Sequence, residues 1–455
     1  MEIKYNKPSE DLSGIKFGDK RLDKRLKTTV ESKEQQIGAS ILSGCGDKYA
    51  AKAFYALLSN DKFEKEKLEK EAYKSTLYRI ADSGLKRVLL AQDTSDINLN
   101  GHKKSDIGYC SEHIRGISLH SCLALTPEGL PLGLISQQYE TRSIKKIPLK
   151  HGEKVKRPIE EKESYRWLET SRNTLEIMPE GVESVIICDR EGDFYELYSE
   201  MVSLGSLFVV RLTRNRTTVD GDLSIQQLRR TKSCGEAEVS IPRDTRKNIP
   251  ARTAKMEVAC CSVSVARPKH LKSDLPASLT LNLVRITEIG ETAEPIEWFL
   301  ATNLPIADDK DVMEIVGYYI QRWKIERFHY VLKSGCQAEK IQQRTFERIK
   351  PVLLIYSVIA VFVLAMTLMA RSSEDFSCEV FLEEYEWKIL YCLINKRQKP
   401  PDKPFSLKVA IAYLGELGSF KHAPSDGDYG VNAIWKGLFK LFNALDVVDR
   451  LMGQV

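Results

Sequence analysis

Apolar and polar positions change their spacing along the chain, and the changes predict an α/β protein. Residues 1–75 are polar and helix-prone. Within 16–27, Leu22 and Leu26 stand four apart, so one helix face can pack while the lysines and arginines point outward. From residue 85 onward, short apolar runs predict strands at 87–95, 117–126, 130–139, 184–191 and 207–212, with helices at 164–178 and 194–204. This order is typical of an α/β domain with a mixed sheet.

The second half of the chain divides into a β-rich and a helical part. Residues 214–300 contain short β runs joined by basic turns, which predicts a β-rich insertion. The helical pattern returns at Asp309 and continues to a stop at Gly335. We therefore predict a helical domain at 1–75, an α/β domain at 76–350 that contains the insertion, and a helical region at 351–455.

One apolar segment, residues 351–370, has two possible explanations. Its twenty residues are about enough to span a bilayer. A helix buried on all sides of a large protein has the same composition. Charged residues flank the segment on both sides and it is the single such stretch, so we favour the buried helix. A membrane-anchored protein built around this segment is the alternative.

Composition limits the class of protein and its partners. The 455 residues are 42% hydrophobic and 29% charged, which excludes wholesale disorder. The net charge is only +5, so any nucleic-acid surface must be a local patch. None of the ten cysteines forms a C-x-x-C pair, which predicts buried thiols in a reducing compartment. The chain starts without an apolar signal segment, so we expect a cytoplasmic protein.

Candidate chemistry comes from two aspartates that follow apolar runs. Asp93 follows RVLLAQ, and Asp189 follows SVIIC. In open α/β sheets, ligands bind beyond the carboxyl ends of the strands. A chain with 63 acidic residues places some of them there by chance, so the pair alone is weak support for a site.

The helix predicted after the insertion carries a stripe of polar groups. Tyr319, Arg322, Glu326 and Lys333 are spaced by three, four and seven residues, which puts them within roughly 60° of one another on a helix. One explanation is a solvated face on which Arg322 and Glu326 form an i,i+4 ion pair. The other is an active site, because these groups suit work on phosphates.

A site of this kind suits the hydrolysis of phosphodiesters. Two divalent ions about 3.5–4 Å apart stabilise the attacking and leaving oxygens, and carboxylates hold such ions. Asp93, Asp189 and Glu326 could supply the carboxylates. Arg322 and Lys333 could hold the flanking phosphates, the first by a fork and the second as a point charge.

With these motifs, the chain resembles the DDE transposases of the IS-four type. The helix has their Tyr-x-x-Arg-x-x-x-Glu-x-x-x-x-x-x-Lys signature, and Gln92-Asp93-Thr94 and 188–191 match their two aspartate motifs. The N-terminal segment resembles their small DNA-binding domain, and pieces of 410–437 resemble their C-terminal region. The resemblance runs nearly end to end.

The resemblance implies a fold, a site and a cofactor. The fold would be an RNase H-like catalytic core with a β-rich insertion. Asp93, Asp189 and Glu326 would bind two Mg²⁺ ions, for which Mn²⁺ can substitute. Trp298 would stack on a base flipped from the duplex, which stabilises by roughly 1–3 kcal/mol. The implied DNA contacts are Tyr319, Arg322, Lys333, Trp298, Arg211, Arg21, Arg25 and Tyr55.

The implied activity is cut-and-paste transposition of an insertion sequence. The protein would bind double-stranded DNA at terminal inverted repeats, cleave it, form and open a hairpin, and join the end to target DNA. A homodimer built through the C-terminal helices would pair two ends. Further candidates for phosphate contacts are the basic run 142–157 and Arg214 and Arg216. The alternative function is a catalytically inactive DNA-binding relative that acts as an inhibitor or repressor.

Overall fold

A mixed β-sheet forms the centre of the protein. The computed structural model describes residues 3–35, 48–101, 106–142, 157–241, 252–271, 274–290, 295–372, 374–418 and 429–452. In chain order, the strands are β1 Arg87–Asn98, β2 Gly116–Leu125, β3 Pro131–Glu140, β4 Glu183–Cys188, β5 Leu207–Arg211, β6 Gly235–Ile241, β7 Arg252–Ala266, β8 Ser278–Glu288 and β9 Glu297–Thr302. Among these residues they form one sheet in the order β3-β2-β1-β4-β5-β9-β8-β7-β6.

The strand directions confirm the mixed sheet expected from the sequence. β1, β4 and β5 are parallel to one another, and every other neighbouring pair is antiparallel. All ten residues of β2 are buried, because helices cover both faces of this half of the sheet. The predicted insertion supplies β6 to β9, and β9 pairs with β5. The insertion therefore extends the same sheet.

The helices form layers on the two faces of the sheet. In chain order they are α1 Pro8–Asp11, α2 Lys20–Gln35, α3 Lys48–Leu57, α4 Lys65–Asp82, α5 Tyr165–Ile177, α6 Tyr195–Ser203, α7 Ser224–Arg230, α8 Asp309–Gln321, α9 Trp323–Tyr330, α10 Phe346–Met369, α11 Glu384–Asn395, α12 Leu407–Leu417 and α13 Val431–Met452. The amide of Gln92 in β1 donates to Ser171 of α5 on one face. On the other face, Gln137 of β3 donates to Ser357 of α10.

Two of the predicted domain boundaries lie inside helices. Residue 75 is within α4, and residue 350 is within α10. A continuous set of buried apolar side chains also joins the N-terminal helices, the sheet and the C-terminal helices. The division of the chain into three regions stays a prediction.

The long apolar helix α10 is a core element. By length and composition it could cross a membrane, but 83% of its most apolar stretch is buried inside the protein. Phe362 packs edge-on against Phe381, and Met366 lies beside Leu438 and Phe442. The buried explanation of residues 351–370 is therefore the one that the structure shows.

Close packing of α12 on α13 depends on a glycine. A methyl group at Gly437 would collide with the carbonyl oxygen of Leu414. The two helix backbones can therefore approach each other only because position 437 has no side chain. Trp435, on the same helix, packs against Gly335 and joins this pair to the end of the predicted polar helix.

The buried carboxyl of Glu34 makes stability depend on pH. Burial raises its pKa from 4.5 to about 7, although Ser9 donates two hydrogen bonds to it. A pKa that is higher in the folded than in the unfolded chain favours the protonated folded state. The free energy of unfolding should therefore fall by about 3 kcal/mol as pH rises from 4.5 to 7.

We expect Glu34→Gln to remove this pH dependence. Urea denaturation of both proteins at several pH values measures it: the variant should gain stability over the wild type as pH rises from 4.5 to 7. A constant difference across that range would show that Glu34 does not take up a proton on folding.

Candidate active site

Asp93 and Asp189 lie at the same level of two neighbouring strands. β1 and β4 pair in parallel up to Ala91 and Ile187, and each aspartate comes two residues later. Adjacent strands are about 4.8 Å apart, so the two carboxylates project from one edge of the parallel part of the sheet. The sequence had suggested that Asp93 ends its strand, but it does not. β1 continues to Asn98 because it stays paired with β2.

The polar helix is interrupted in two places. The N–H of Arg322 donates a hydrogen bond to the carbonyl of Tyr319. This bond forms a tight turn between α8 and α9. A five-residue π-turn, Val331–Gly335, follows α9. A π-turn changes the direction of later side chains relative to an ideal helix. Lys333 lies within this π-turn, and its charge acts on Cys110 and on His329.

Arg322 links two of the three predicted carboxylates. Its guanidinium donates to Glu326 at 2.5 Å and lies 3.9 Å from Asp93. The residue is 6% exposed, and Tyr319 beside it is 1% exposed, which excludes a solvated stripe. Burial lowers the pKa of Arg322, but the charges around it outweigh burial and raise it. This guanidinium is thus a fixed positive charge between acids.

The carboxyl of Asp93 lies in a strongly charged setting. Burial is the main cause that raises its pKa to about 7, and Asp189 and Glu326 raise it further. Arg322 acts in the opposite direction. The three predicted carboxylates are therefore close enough to act on one another, and the structure brings them together.

His329, which the sequence reading missed, is a further neighbour of Asp93. Its Nδ1 is 4.0 Å from the Asp93 carboxylate, and its Nε2 is 3.4 Å from the Ser121 hydroxyl. Burial lowers the pKa of His329 to about 3, so it is neutral at physiological pH. The one signal in the sequence was its place three residues after Glu326, on the same side of the helix.

Trp298 is covered rather than open for stacking. It is 8% exposed, and the edge of its ring meets Tyr319 at 5.6 Å between centroids. The Arg211 guanidinium lies 5.9 Å from the ring centroid, at the distance of a cation–π contact. A base that stacked on this face of the indole would displace Arg211.

The predicted DNA contacts of the N-terminal segment lie on α2 and α3. Leu22 and Leu26 of α2 are buried, as their spacing predicted, and Arg21 and Arg25, which directly precede them, are exposed. Tyr55 of α3 is half-buried, with its ring near Phe54.

Asp193, close in sequence to Asp189, is a structural acid. Its carboxylate is fully buried and forms an ion pair with Arg216. It also accepts hydrogen bonds from the Tyr198 hydroxyl and from the backbone N–H groups of Thr213 and Arg214. Arg216 is therefore not available to DNA, which corrects its assignment as a phosphate contact. Residues 143–156 of the predicted basic run lie outside the described residues.

Asp93, Asp189 and Glu326 have the oxygen ligands that hard metal ions prefer, but their carboxylates are not positioned to coordinate one ion together. Over the residues with described side chains, no group of three His, Cys, Asp or Glu residues is positioned to bind a metal. The Arg322 guanidinium donates a hydrogen bond to an oxygen of Glu326. Three clustered carboxylates are nevertheless the donor set that Mg²⁺ prefers, so the residue types fit the metal.

Comparison with known families identifies the domains. A model described as Transposase DNA-binding matches residues 8–63, and a model described as Transposase DDE domain matches residues 166–362. The two matches cover separate regions of the chain, the first in the N-terminal helices and the second across the sheet and the polar helix. The DDE match includes Asp189 and Glu326 but begins after Asp93, which the sheet places beside them.

A solved structure of a transposase shows a distant similarity to this chain. It is the cryo-EM structure of the piggyBac transposase synaptic complex with hairpin DNA, at 10% sequence identity and a TM-score of 0.33. The alignment covers 88% of this chain, which spans 64% of the length of the piggyBac chain.

Proposed function

We propose that this protein is a DNA transposase of an insertion sequence, of the IS-four type and related to the cut-and-paste transposase of transposon Tn-five. The observation that carries the proposal is the clustering of Asp93, Asp189 and Glu326 around Arg322. The order β3-β2-β1-β4-β5, with β1, β4 and β5 parallel, supports an RNase H-like core. The transposase DNA-binding match supports DNA as the partner.

In this proposal, the three carboxylates hold two divalent ions, Mg²⁺ or Mn²⁺. Bound there, the ions would supply an activated water or 3′-hydroxyl and would stabilise charge on the leaving oxygen. The protein's own residues position the DNA. Once metal ions neutralise the carboxylates, the Arg322 guanidinium would be free to bind a phosphate. Its paired N–H groups fit phosphate oxygens as well as carboxylate oxygens. Lys333 supplies a second, point-like charge.

Release of Arg211 from Trp298 would complete the DNA contacts. A phosphate near Arg211 would compete with the indole for the guanidinium, since a charged partner binds it more strongly than an aromatic face does. The uncovered Trp298 would then be able to stack on a flipped base. Arg21, Arg25 and Tyr55 would contact the terminal repeat at a distance from the carboxylates, and a homodimer in the cytoplasm would pair two ends.

Cleavage of the protein's own flanking DNA tests the proposal. Purified protein is incubated with a fragment that carries the inverted repeats flanking its open reading frame, with and without Mg²⁺. We expect cleavage at the repeat boundary, hairpin ends and joining to a plasmid, all dependent on the metal. Specific binding of the repeats without cleavage would indicate the alternative, an inactive relative that acts as a repressor. Failure to bind the repeats would contradict both.

A further inference from the structure

A series of hydrogen bonds runs through the core and ends beside Asp93, and the function proposed so far does not use it. We call this series the buried network. It joins side chains of β2, β3, α9 and α10, namely Ser121, Gln137, Tyr139, His329 and Ser357. Both serines are fully buried, and His329 is 5% exposed. A buried polar network fixes its members in place when each of them has its hydrogen-bond partners.

The side-chain amide of Gln137 is the centre of the buried network. Its oxygen accepts a hydrogen bond from the Tyr139 hydroxyl at 3.0 Å. Its nitrogen donates two hydrogen bonds, to the Ser121 hydroxyl at 3.1 Å and to the Ser357 hydroxyl at 3.0 Å. Because the Ser121 oxygen accepts from Gln137, its own hydrogen is left to donate to Nε2 of His329, which lies 3.4 Å away.

This order of donors and acceptors determines which ring nitrogen of His329 carries a hydrogen. The imidazole is neutral, because burial lowers its pKa, and it therefore has a single N–H group. Since Nε2 accepts from Ser121, the hydrogen is on Nδ1, the nitrogen that lies 4.0 Å from Oδ2 of Asp93. The reverse order would turn an imidazole lone pair toward the carboxylate, and repulsion disfavours that arrangement. The buried network thus presents an N–H donor to Asp93.

The two carboxylate oxygens of Asp93 have different surroundings. The backbone N–H of Thr94 donates to Oδ1 at 2.9 Å. Oδ2 is 3.9 Å from the Arg322 guanidinium and 4.0 Å from the His329 ring. Arg322 is the phosphate-binding group in the proposed function, so it would leave Oδ2 when DNA binds. His329 is buried and bonded to Ser121, so it would remain beside Oδ2.

The contact between His329 and Asp93 is longer than a hydrogen bond. Such bonds have donor–acceptor distances of about 2.7–3.2 Å, so a shift of about 1 Å would form one. Catalytic hydrogen bonds are often long in the free enzyme and shorten in the substrate complex. Carboxylates that bind metal ions are commonly held by a hydrogen bond from a neighbouring residue, which sets their orientation.

We propose that His329 is a positioning residue, whose Nδ1–H holds Asp93 in the orientation that binds a divalent ion. The buried network keeps the hydrogen on Nδ1. This inference rests on the proposed function. His329 touches neither the DNA nor the ion, and it acts only through Asp93.

Two substitutions of His329 separate this role from the filling of space. In His329→Asn, the amide nitrogen takes the place of Nδ1 and can still donate to Asp93. In His329→Gln, the amide reaches the level of Nε2, which keeps a contact with Ser121 but removes the donor to Asp93. The shorter side chain leaves the larger cavity, so His329→Asn should be the less stable variant. A merely structural role predicts that the glutamine variant functions better, and the positioning role predicts the reverse.

The first measurement is the affinity of the full-length protein for Mn²⁺, obtained from the electron paramagnetic resonance signal of the free ion. We expect affinity reduced by about tenfold or more in His329→Gln and within about threefold of the wild type in His329→Asn. Asp93→Asn gives the affinity that remains when this carboxylate is lost. Single-turnover cleavage of a repeat-bearing fragment should follow the same order as Mn²⁺ affinity, and urea denaturation should give the opposite order of stability.

The outcomes distinguish this inference from the proposed function. Equal losses of Mn²⁺ affinity in the two variants, or a smaller loss in His329→Gln, would overturn the inference, while metal-dependent cleavage by the wild type would leave the proposed function intact. The glutamine variant fills the site better, so normal Mn²⁺ affinity in that variant would overturn the inference whatever the stability of His329→Asn. No Mn²⁺ binding by the wild type would contradict the proposed function and the inference with it.

Discussion

Replacing Glu326 by Gln is expected to reduce DNA cleavage at the repeat boundary by about 10³-fold or more, equivalent to about 4 kcal/mol of transition-state stabilisation. The substitution keeps the shape of the side chain but removes the charge that would hold a divalent ion. Single-turnover cleavage of a repeat-bearing fragment at saturating protein measures the effect.

Folding and end binding should survive this change. The Glu326 side chain is 38% exposed, and Asp93 stays 3.9 Å from the buried Arg322 guanidinium as a counter-charge, so the change should not unfold the protein. Glu314→Gln is the matched control. Glu314 lies on the preceding helix, α8, and pairs with Arg87 of β1, so this variant should cleave normally. Near-normal cleavage by Glu326→Gln would show that the metal ligands lie elsewhere.

Replacing Asp193 by Ala is expected to destabilise the protein by about 3–5 kcal/mol. The change leaves the buried Arg216 guanidinium without its counter-charge and removes the acceptor of two backbone N–H groups. Urea denaturation of the variant against the wild type measures it. Asp189→Asn is the comparison, because Asp189 should act on DNA and metal while contributing little to stability.

A double variant separates the ion pair from the other contacts of Asp193. Asp193→Ala/Arg216→Met should recover part of the lost stability, because no unpaired charge then remains buried. Recovery should be incomplete, since the N–H groups of Thr213 and Arg214 still lack an acceptor. An unchanged denaturation midpoint in Asp193→Ala, accompanied by lost cleavage, would move Asp193 into the active site.

The strands could be predicted from the sequence because their chemistry is local. Runs such as those in β4 and β5 are continuously apolar. β5 ends one residue before its predicted bound, whereas β4 ends at Cys188, three residues before the predicted end at 191. The spacing of Leu22 and Leu26 likewise determined which face of α2 is buried.

The rest of the site depends on contacts between distant segments. Arg216 appears as one more basic residue until the fold places it against Asp193, twenty-three positions earlier. The π-turn Val331–Gly335 likewise interrupts a helix that the spacing of apolar and polar residues predicted to run on to Gly335. The contact between Arg211 and Trp298 exists because β5 and β9 are neighbouring strands. No spacing along the chain reveals that pairing.

The burial of α10 has a consequence for the synthesis of the protein. The helix leaves the ribosome before α11, α12 and α13, which supply Leu438, Phe442 and other residues that cover it. Until those helices follow, the growing chain exposes a 24-residue apolar segment long enough for recognition by membrane-targeting and chaperone machinery. A stop codon or pause shortly after residue 370 would therefore yield an aggregation-prone or mistargeted product, which makes completion of the C-terminal helices a condition for recovering functional protein.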